Sequence, residues 1–262
     1  LNVDERGFIN LEELRNSITN STILITIMFA NNEIGTIEPI SQIGEIARMY
    51  NVIFHTDAVQ AVGNIKIDVR QMNIDSLSMS AHKFYGPKGV GALYVKSNVN
   101  FKKIQDGGHQ EKDKRAGTEN VAGIVGLGRA IELANNNLFS YNRKLSFLRD
   151  YCITQIKNKI PDVKINGDMV KRLPGNVNIS FNGIDGQDLL LKLDEKGICA
   201  SSGSACSSGS KSASHVLTAI GLTENLSRST LRITFGNENT KEDVDYLVES
   251  LVESVKTLKR IS

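Results

Sequence analysis

The sequence predicts an α/β protein with a mostly parallel sheet covered by helices, followed by a smaller C-terminal α+β domain. In the first half, short apolar runs typical of strands alternate with helical patterns, which is the order that builds parallel sheets. After residue 141 the chain changes to a few short strands set between helices. We therefore predict a larger domain over 1–141 and a smaller domain over 142–262.

The first half contains four predicted strands, at 22–29, 52–56, 75–79 and 90–95. A helix between the first two has one apolar face, formed by Ile40, Ile43, Ile46, Ala47 and Tyr50. A glycine-rich and charged loop over 107–115 interrupts the pattern. A helix over about 120–135 follows, and the run Asn135-Asn136-Asn137 is predicted to end it.

The second half is predicted to open with a helix that leads to Pro161 and to continue with short strands at 177–181 and 231–235. The last helix has the clearest start, because Thr240 is a good N-cap residue and Asp243 follows three residues later. Its apolar positions recur at helical spacing: Val244, Leu247, Val248, Leu251, Val252 and Val255.

Composition excludes several classes of protein. The 262 residues carry 31 basic and 29 acidic side chains, a net charge of +2, and no basic block that would indicate nucleic-acid binding. No apolar run approaches the roughly 18 residues of a membrane span, and no signal peptide opens the chain. Three cysteines do not make a disulfide framework, so we expect a reducing, cytoplasmic setting.

The most informative motif is Ser80-Ala81-His82-Lys83, followed by a glycine-rich turn that ends at Gly91. It places one amine at the end of a predicted strand, where backbone can approach a ligand closely. A buried lysine is well suited to Schiff-base chemistry, because desolvation lowers its pKa. A surface lysine beside a tight turn is the ordinary structural alternative.

Two further strand ends carry polar groups. Asp57 follows the predicted strand at 52–56, with Gln60 three residues later, and Asn31-Asn32-Glu33-Ile34-Gly35 follows the strand at 22–29. Open α/β sheets bind ligands at the carboxyl ends of their strands. A carboxylate there can face the pyridine nitrogen of pyridoxal phosphate and keep it protonated.

The three cysteines differ in their surroundings. Cys152 lies in a helical apolar pattern and Cys199 in an apolar stretch, so both are predicted to be buried. Cys206 lies among serines and glycines in a predicted loop, where an accessible thiolate can act as a nucleophile. No metal site is expected, because the spacing of Cys199 and Cys206 does not suit zinc and no histidine pair completes a site.

Six motifs together resemble the cysteine desulfurases, fold-type I pyridoxal-phosphate enzymes of the class-V aminotransferase family that serve nitrogen fixation and iron–sulfur cluster assembly. The motifs occur in the family's order along the chain: Asn31-Asn32-Glu33-Ile34-Gly35, His55-Thr56-Asp57-Ala58-Val59-Gln60, residues 80–91, Arg115-Ala116-Gly117-Thr118-Glu119-Asn120, Ser201-Ser202-Gly203-Ser204-Ala205-Cys206 and Leu231-Arg232-Ile233-Thr234-Phe235-Gly236.

The resemblance implies a role for each matching residue. Lys83 would hold pyridoxal phosphate covalently and move protons, and Cys206 would take the sulfur of L-cysteine as a persulfide and leave alanine. The remaining cofactor contacts would be Asp57 with the pyridine nitrogen, Gln60 and Asn32 near the ring hydroxyl, and Ser80, His82 and Thr118 with phosphate.

The resemblance also implies how substrate and partners bind. Arg232, with Asn32, would bind the substrate carboxylate. Thr118 would reach the phosphate of a neighbouring subunit, which implies a homodimer, and a sulfur-acceptor or scaffold protein would be the partner.

Alternatives remain open for several of these residues. Asp57 is also a suitable helix N-cap, Arg232 a suitable ion-pair partner and His82 an ordinary turn histidine. His55 lies in a predicted strand, so we interpret it as structural and leave it out of the site.

The resemblance also leaves rival functions. A selenocysteine lyase or another class-V aminotransferase-like enzyme would share Lys83 and Asp57, and an inactive assembly or dimerisation module is a third possibility. Relative to the family, the N-terminal third is expected to be absent, including a phosphate-binding turn. Residues 211–215 lack the proline that many relatives carry, so we expect a less firmly fixed entry to the next helix.

Overall fold

The computed structural model describes residues 1–202 and 213–261. These residues form two compact units. The parallel-sheet unit comprises Arg15–Phe29 and Pro39–Leu138. The antiparallel-sheet unit comprises Leu1–Leu14, Ala30–Glu38 and Phe139–Ser262.

The parallel-sheet unit contains a four-stranded sheet in the order β1-β2-β3-β4. Its strands are β1 (Leu24–Met28), β2 (Ile53–Asp57), β3 (Ser76–Ser80) and β4 (Gly91–Val95). The first three run parallel, and β4 returns antiparallel to β3. Each predicted strand is present, and the prediction of a mostly parallel sheet is confirmed.

Helix α2 (Ile40–Met49) covers one face of this sheet. Its isoleucines Ile40, Ile43 and Ile46 are at most 3% exposed, as their spacing predicts, and Phe54 on β2 is fully buried. Gly44 is required on this helix, because a Cβ there would collide with the backbone carbonyl of Met72. Burial of one side of the sheet therefore fixes which residues of β2 face the opposite side.

Helix α4 (Val121–Lys159) corrects the predicted helix end at the three asparagines. The helix continues through them for 39 residues in all, and the Asn137 side chain donates to the backbone carbonyl of Leu133 at 2.9 Å. Asparagine has only a modest helix penalty, of about 0.7 kcal/mol or less per residue, and tertiary packing commonly outweighs it. The first part of the chain also contains the short helix α1 (Leu11–Ser17), a 3-10 helix (Ala81–Phe84) and the irregular turn α3 (Gln110–Asp113).

The antiparallel-sheet unit is built on three strands in the order β5-β6-β7. These are β5 (Val163–Ile165), which the sequence did not predict, β6 (Asn176–Phe181) and β7 (Thr230–Thr234). Every residue of β6 is buried, since it is the central strand of the three. The helices of this unit, besides the later part of α4, are α5 (Gly186–Asp194), α6 (His215–Ala219), α7 (Glu224–Arg228) and α8 (Lys241–Ile261).

Helix α8 begins where the sequence predicts. The Asp243 backbone N–H donates to Thr240 Oγ1 at 3.2 Å, and the Thr240 N–H donates to Asp243 Oδ2 at 2.9 Å. This reciprocal pair satisfies backbone donors that a helix start otherwise leaves unpaired. The apolar side of α8 then packs into the core of this unit through Val244, Val248 and Leu251.

Two early segments belong to the same unit as the C-terminal half. The Thr36 hydroxyl donates to the carbonyl of Arg6 at 2.6 Å, and the Asn176 side chain donates to the carbonyl of Glu33 at 3.1 Å. These bonds join residues far apart in sequence, which no local pattern could predict. The division into two continuous domains at 141/142 stays a prediction.

In the part of the chain that the structure describes, no helix combines the length and apolar character needed to cross a bilayer.

Candidate active site

Asp57 is the last residue of β2, and its side chain is exposed at the carboxyl end of the strand. Its Oδ1 accepts the backbone N–H of Val59 at 2.9 Å, which forms a tight turn directly after the strand. Gln60 lies in this turn, half-buried, and its backbone carbonyl accepts from the Asn64 side chain at 3.1 Å. The turn therefore holds the Asp57 carboxylate at the sheet edge.

Strand β3 ends at Ser80 and continues directly into a 3-10 helix, Ala81–Phe84. Ala81 and Phe84 are buried and anchor this helix, whereas His82 and Lys83 are exposed. Ser80 Oγ and His82 Nδ1 lie 2.8 Å apart, within hydrogen-bond distance. Lys83 is therefore a surface lysine in this structure, because the turn projects its side chain away from its two buried neighbours.

The register of the sheet brings these two groups to one edge. Asp57 on β2 pairs with Ser78 on β3, two residues before Ser80. Because β2 and β3 are parallel, their carboxyl ends lie side by side. The carboxylate of Asp57 and the segment with Ser80, His82 and Lys83 therefore share the edge where α/β sheets bind ligands.

Thr118 lies elsewhere in the parallel-sheet unit, in the loop before α4, and is exposed. The neighbouring Gly117 N–H donates to the side chain of Gln110 at 3.1 Å. None of the contacts described for the sheet edge involves Thr118, so its predicted role at a neighbouring subunit stays a prediction.

The antiparallel-sheet unit brings together the two residues predicted to bind substrate. Arg232 lies on β7, half-buried, and its Nη1 donates to the backbone carbonyl of Asn32 at 3.2 Å. The Asn32 turn is itself fixed, because Asn31 Oδ1 accepts from the backbone N–H groups of Glu33 at 2.9 Å and Ile34 at 3.0 Å. The Arg232 guanidinium is thus held against the backbone of a turn that lies 200 residues earlier in the sequence.

Two of the cysteines are described by the structure. Cys152 is fully buried, which raises the pKa of its thiol to about 12, so it is the inert thiol that the sequence predicts. The prediction that Cys199 is buried is wrong: its side chain is exposed. Ile198 and Ala200 pack against the core on either side of it, and this alternation turns Cys199 outward.

Cys206 lies outside the described residues, so its predicted nucleophilic role stays a prediction. Among the described ranges 1–202 and 213–261, no cluster of three potential metal ligands occurs.

Helix α6 begins at His215, and Ser214 is its N-cap residue. Ser214 Oγ accepts the backbone N–H of Leu217 at 3.4 Å as an N-cap and donates to the Glu33 carboxylate at 2.6 Å. Glu33 is only 2% exposed, and the contact as a whole is partly buried. Residues 211 and 212 lie outside the described residues, so the expectation of a less firmly fixed helix entry stays a prediction. Glu33 is a residue that sequence reasoning did not single out.

His55 is a second residue that sequence reasoning set aside. Its ring lies between two hydroxyl groups, with Nδ1 at 2.7 Å from Thr26 Oγ1 and Nε2 at 2.7 Å from Ser78 Oγ. Burial lowers the pKa of His55, and the nearby charge of Asp57 acts in the opposite direction. Period-two alternation, which places His55 and Asp57 on the same face of β2, was the signal that could have identified it.

The residues at the sheet edge suit pyridoxal phosphate by the chemistry of their donor groups. A carboxylate (Asp57) can pair with a pyridinium, an exposed amine (Lys83) can bond to an aldehyde carbon, and a hydroxyl and an imidazole (Ser80, His82) can contact a phosphate.

Comparison with known proteins identifies the family of the chain. The family model described as aminotransferase class-V matches residues 1–247. A curated relative from Clostridium botulinum (strain Hall), named "Cysteine desulfurase IscS", is 57% identical over the whole chain, which spans 66% of that relative's length.

Two solved structures are also similar. One described as a NifS-like protein superposes with a TM-score of 0.90 at 35% identity, covering 98% of this chain and 68% of that one. Another, described as SspA in complex with cysteine, has a TM-score of 0.76 at 37% identity and covers 90% of this chain and 65% of that one. The chain belongs to the class-V aminotransferase family, and its fold is that of the NifS-like structures.

Proposed function

We propose that this chain is part of a cysteine desulfurase that uses pyridoxal phosphate to convert L-cysteine to L-alanine and passes the sulfur to an acceptor through Cys206. The names of the curated relatives support the activity, and the solved relative in complex with cysteine supports the substrate. These relatives favour a desulfurase over a selenocysteine lyase or an inactive module.

The observation that carries this proposal is the shared sheet edge of Asp57 and the segment Ser80–Lys83. The cofactor would supply an electron sink that stabilises negative charge at the substrate Cα. Asp57 would pair with its pyridine nitrogen and Gln60 with its ring hydroxyl, while Ser80 and His82 would bind its phosphate. Lys83 would hold it covalently, and its amine would then move a proton at the substrate Cα.

Residues of the antiparallel-sheet unit would bind and process cysteine. Arg232 would bind the substrate carboxylate bidentately, with Asn32 beside it. The Cys206 thiolate would attack the substrate sulfur as the C–S bond breaks, giving an enzyme persulfide. The carbon that loses sulfur takes up a proton, so that cysteine and one thiol yield alanine and one persulfide.

The parallel-sheet unit offers a matched pair of lysines for a test of cofactor binding. Pyridoxal phosphate mixed with the protein should give the visible absorbance of a covalently bound cofactor, and borohydride should bleach it. Lys83→Ala should abolish this signal. Lys88→Ala changes an exposed lysine in the same glycine-rich turn and should preserve it. Equal absorbance in wild type and Lys83→Ala after dialysis would overturn the assignment.

We also infer the remaining features of the active enzyme. Thr118 would bind the phosphate held by a second subunit, so the enzyme would be a homodimer. A scaffold or sulfur-acceptor protein, as in iron–sulfur cluster assembly, would receive the persulfide. A reducing cytoplasmic setting suits this chemistry, since a persulfide and the exposed Cys199 thiol both require protection from oxidation.

A further inference from the structure

Three polar side chains cross the open face of the parallel sheet in one hydrogen-bonded row. Thr26 on β1, His55 on β2 and Ser78 on β3 form this sheet-face row, with both contacts to the imidazole at 2.7 Å. Hydroxyl groups engage both ring nitrogens, so the orientation of the ring is fixed from both sides.

The strand register gives this row a direction. Thr26 pairs with His55 itself, whereas Ser78 pairs with Asp57, two residues closer to the carboxyl end of the sheet. The Nε2 atom, bonded to Ser78, therefore points toward the edge where Asp57 lies. The Nδ1 atom, bonded to Thr26, stays at the level of His55.

A neutral imidazole carries only one N–H, so one of the two hydroxyls must donate to the ring and the other must accept from it. Burial favours the neutral ring, because it lowers the pKa of His55. The negative charge of Asp57 favours the proton on the nitrogen directed toward it. In this arrangement Thr26 donates to Nδ1, Nε2–H donates to Ser78, and the hydroxyl proton of Ser78 is left to donate elsewhere.

We propose that His55 is a positioning residue of the cofactor site: it holds Ser78, the register partner of Asp57, so that the Ser78 hydroxyl proton is available to the Asp57 carboxylate when the cofactor binds. This inference rests on the proposed function, because the row would hold the Asp57 carboxylate in place opposite a pyridine nitrogen. A histidine with only a packing role would need no defined tautomer.

Imidazole ¹⁵N NMR on the unliganded wild-type protein tests the direction of the row. We expect the Nε2–H tautomer of neutral His55 at pH 7. Asp57→Asn should shift the population toward Nδ1–H and lower the pKa of His55, because it removes the charge that raises it. Thr56→Val is the matched control, since Thr56 lies on the same strand but is buried on the opposite face. A dominant Nδ1–H tautomer, or a charged ring at pH 7, would overturn the proposal.

Cofactor binding provides the second readout. Ser78→Ala should raise the dissociation constant for pyridoxal phosphate roughly tenfold, the usual scale of one hydrogen bond to a charged group. Thr56→Val should leave it unchanged. Failure of the wild-type protein to bind the cofactor would count against the proposed function, while the NMR result would still decide the direction of the row. Equal binding by wild type and Ser78→Ala would leave the function standing and contradict the role of the row.

Discussion

Glu38 shows how one buried side chain can make stability depend on pH. It is 8% exposed, accepts the backbone N–H of Ile9 at 3.2 Å, and lies near the negative charge of Asp4. Burial raises the pKa of Glu38 to about 7, and Asp4 adds to the effect. The folded protein therefore holds this proton more tightly than the unfolded chain does.

The sign of the effect follows from this order of pKa values. The free energy of unfolding should be greatest at pH values below the ordinary pKa of a glutamate. It should fall as pH rises through about 7, by about 3 kcal/mol at most. Glu38→Gln should therefore be more stable than wild type at pH 8 and should lose the advantage at pH 4. Thermal unfolding at both values measures this, with exposed Glu45→Gln as the control. An equal pH response of wild type and Glu38→Gln would contradict it.

The exposure of Cys199 and that of Lys83 have the same physical origin. Composition near Cys199 predicts burial, but the direction of each side chain depends on how Ile198 and Ala200 pack. The turn after β3 similarly buries Ala81 and Phe84 and leaves Lys83 exposed. Apolar neighbours in sequence therefore indicate that a segment is packed, but they do not indicate which of its residues faces inward.

At the scale of elements, the sequence predicted the structure best where apolar residues follow a strict period or where a helix has a defined N-cap. The four strands of the parallel sheet and the start of α8 appear as predicted. The continuation of α4 through three asparagines and the short strand β5 were missed. Both depend on tertiary packing or on pairing with β6, which lies more than ten residues further along the chain.

Two threonines, one at the N-cap of α8 and one further along the helix, should respond differently when each is replaced by alanine. Thr240→Ala removes the hydroxyl that accepts the Asp243 N–H and should cost about 1 kcal/mol of unfolding free energy. Thr257→Ala, further along the same helix, should be neutral or slightly stabilising, because alanine is the better helix former. Denaturant unfolding measures both variants. A loss as large for Thr257→Ala as for Thr240→Ala would show that the cap has no special role.

At the scale of the whole molecule, the predicted site residues fall in two separate units. Asp57, Ser80 and Lys83 belong to the parallel-sheet unit, whereas Asn32 and Arg232 belong to the antiparallel-sheet unit. The sequence predicted the residue types and the strand ends, since these are local. It could not predict that Arg232 contacts the backbone of Asn32, because 200 residues separate them.

This division predicts that cofactor binding and substrate binding can be impaired separately. Arg232→Lys keeps the charge but loses the planar pair of donors, so KM for cysteine should rise at least roughly tenfold. The visible absorbance of bound cofactor should persist, because its proposed contacts lie mainly in the other unit. Arg228→Lys, at an exposed arginine of α7, is the control. Loss of cofactor absorbance in Arg232→Lys would contradict the separation.

The most direct test of a desulfurase is the destination of the sulfur atom. After the cofactor-loaded enzyme is mixed with cysteine, mass spectrometry should find one added sulfur on the peptide that contains Cys206. Cys206→Ser should retain cofactor absorbance yet release no alanine, because a hydroxyl is a poor nucleophile at neutral pH whereas a thiolate is a good one. Cys199→Ser is the essential control, since Cys199 is also exposed, and Cys152→Ala should lose only packing. Sulfur on Cys199 or Cys152, or alanine release at the wild-type rate by Cys206→Ser, would contradict the mechanism.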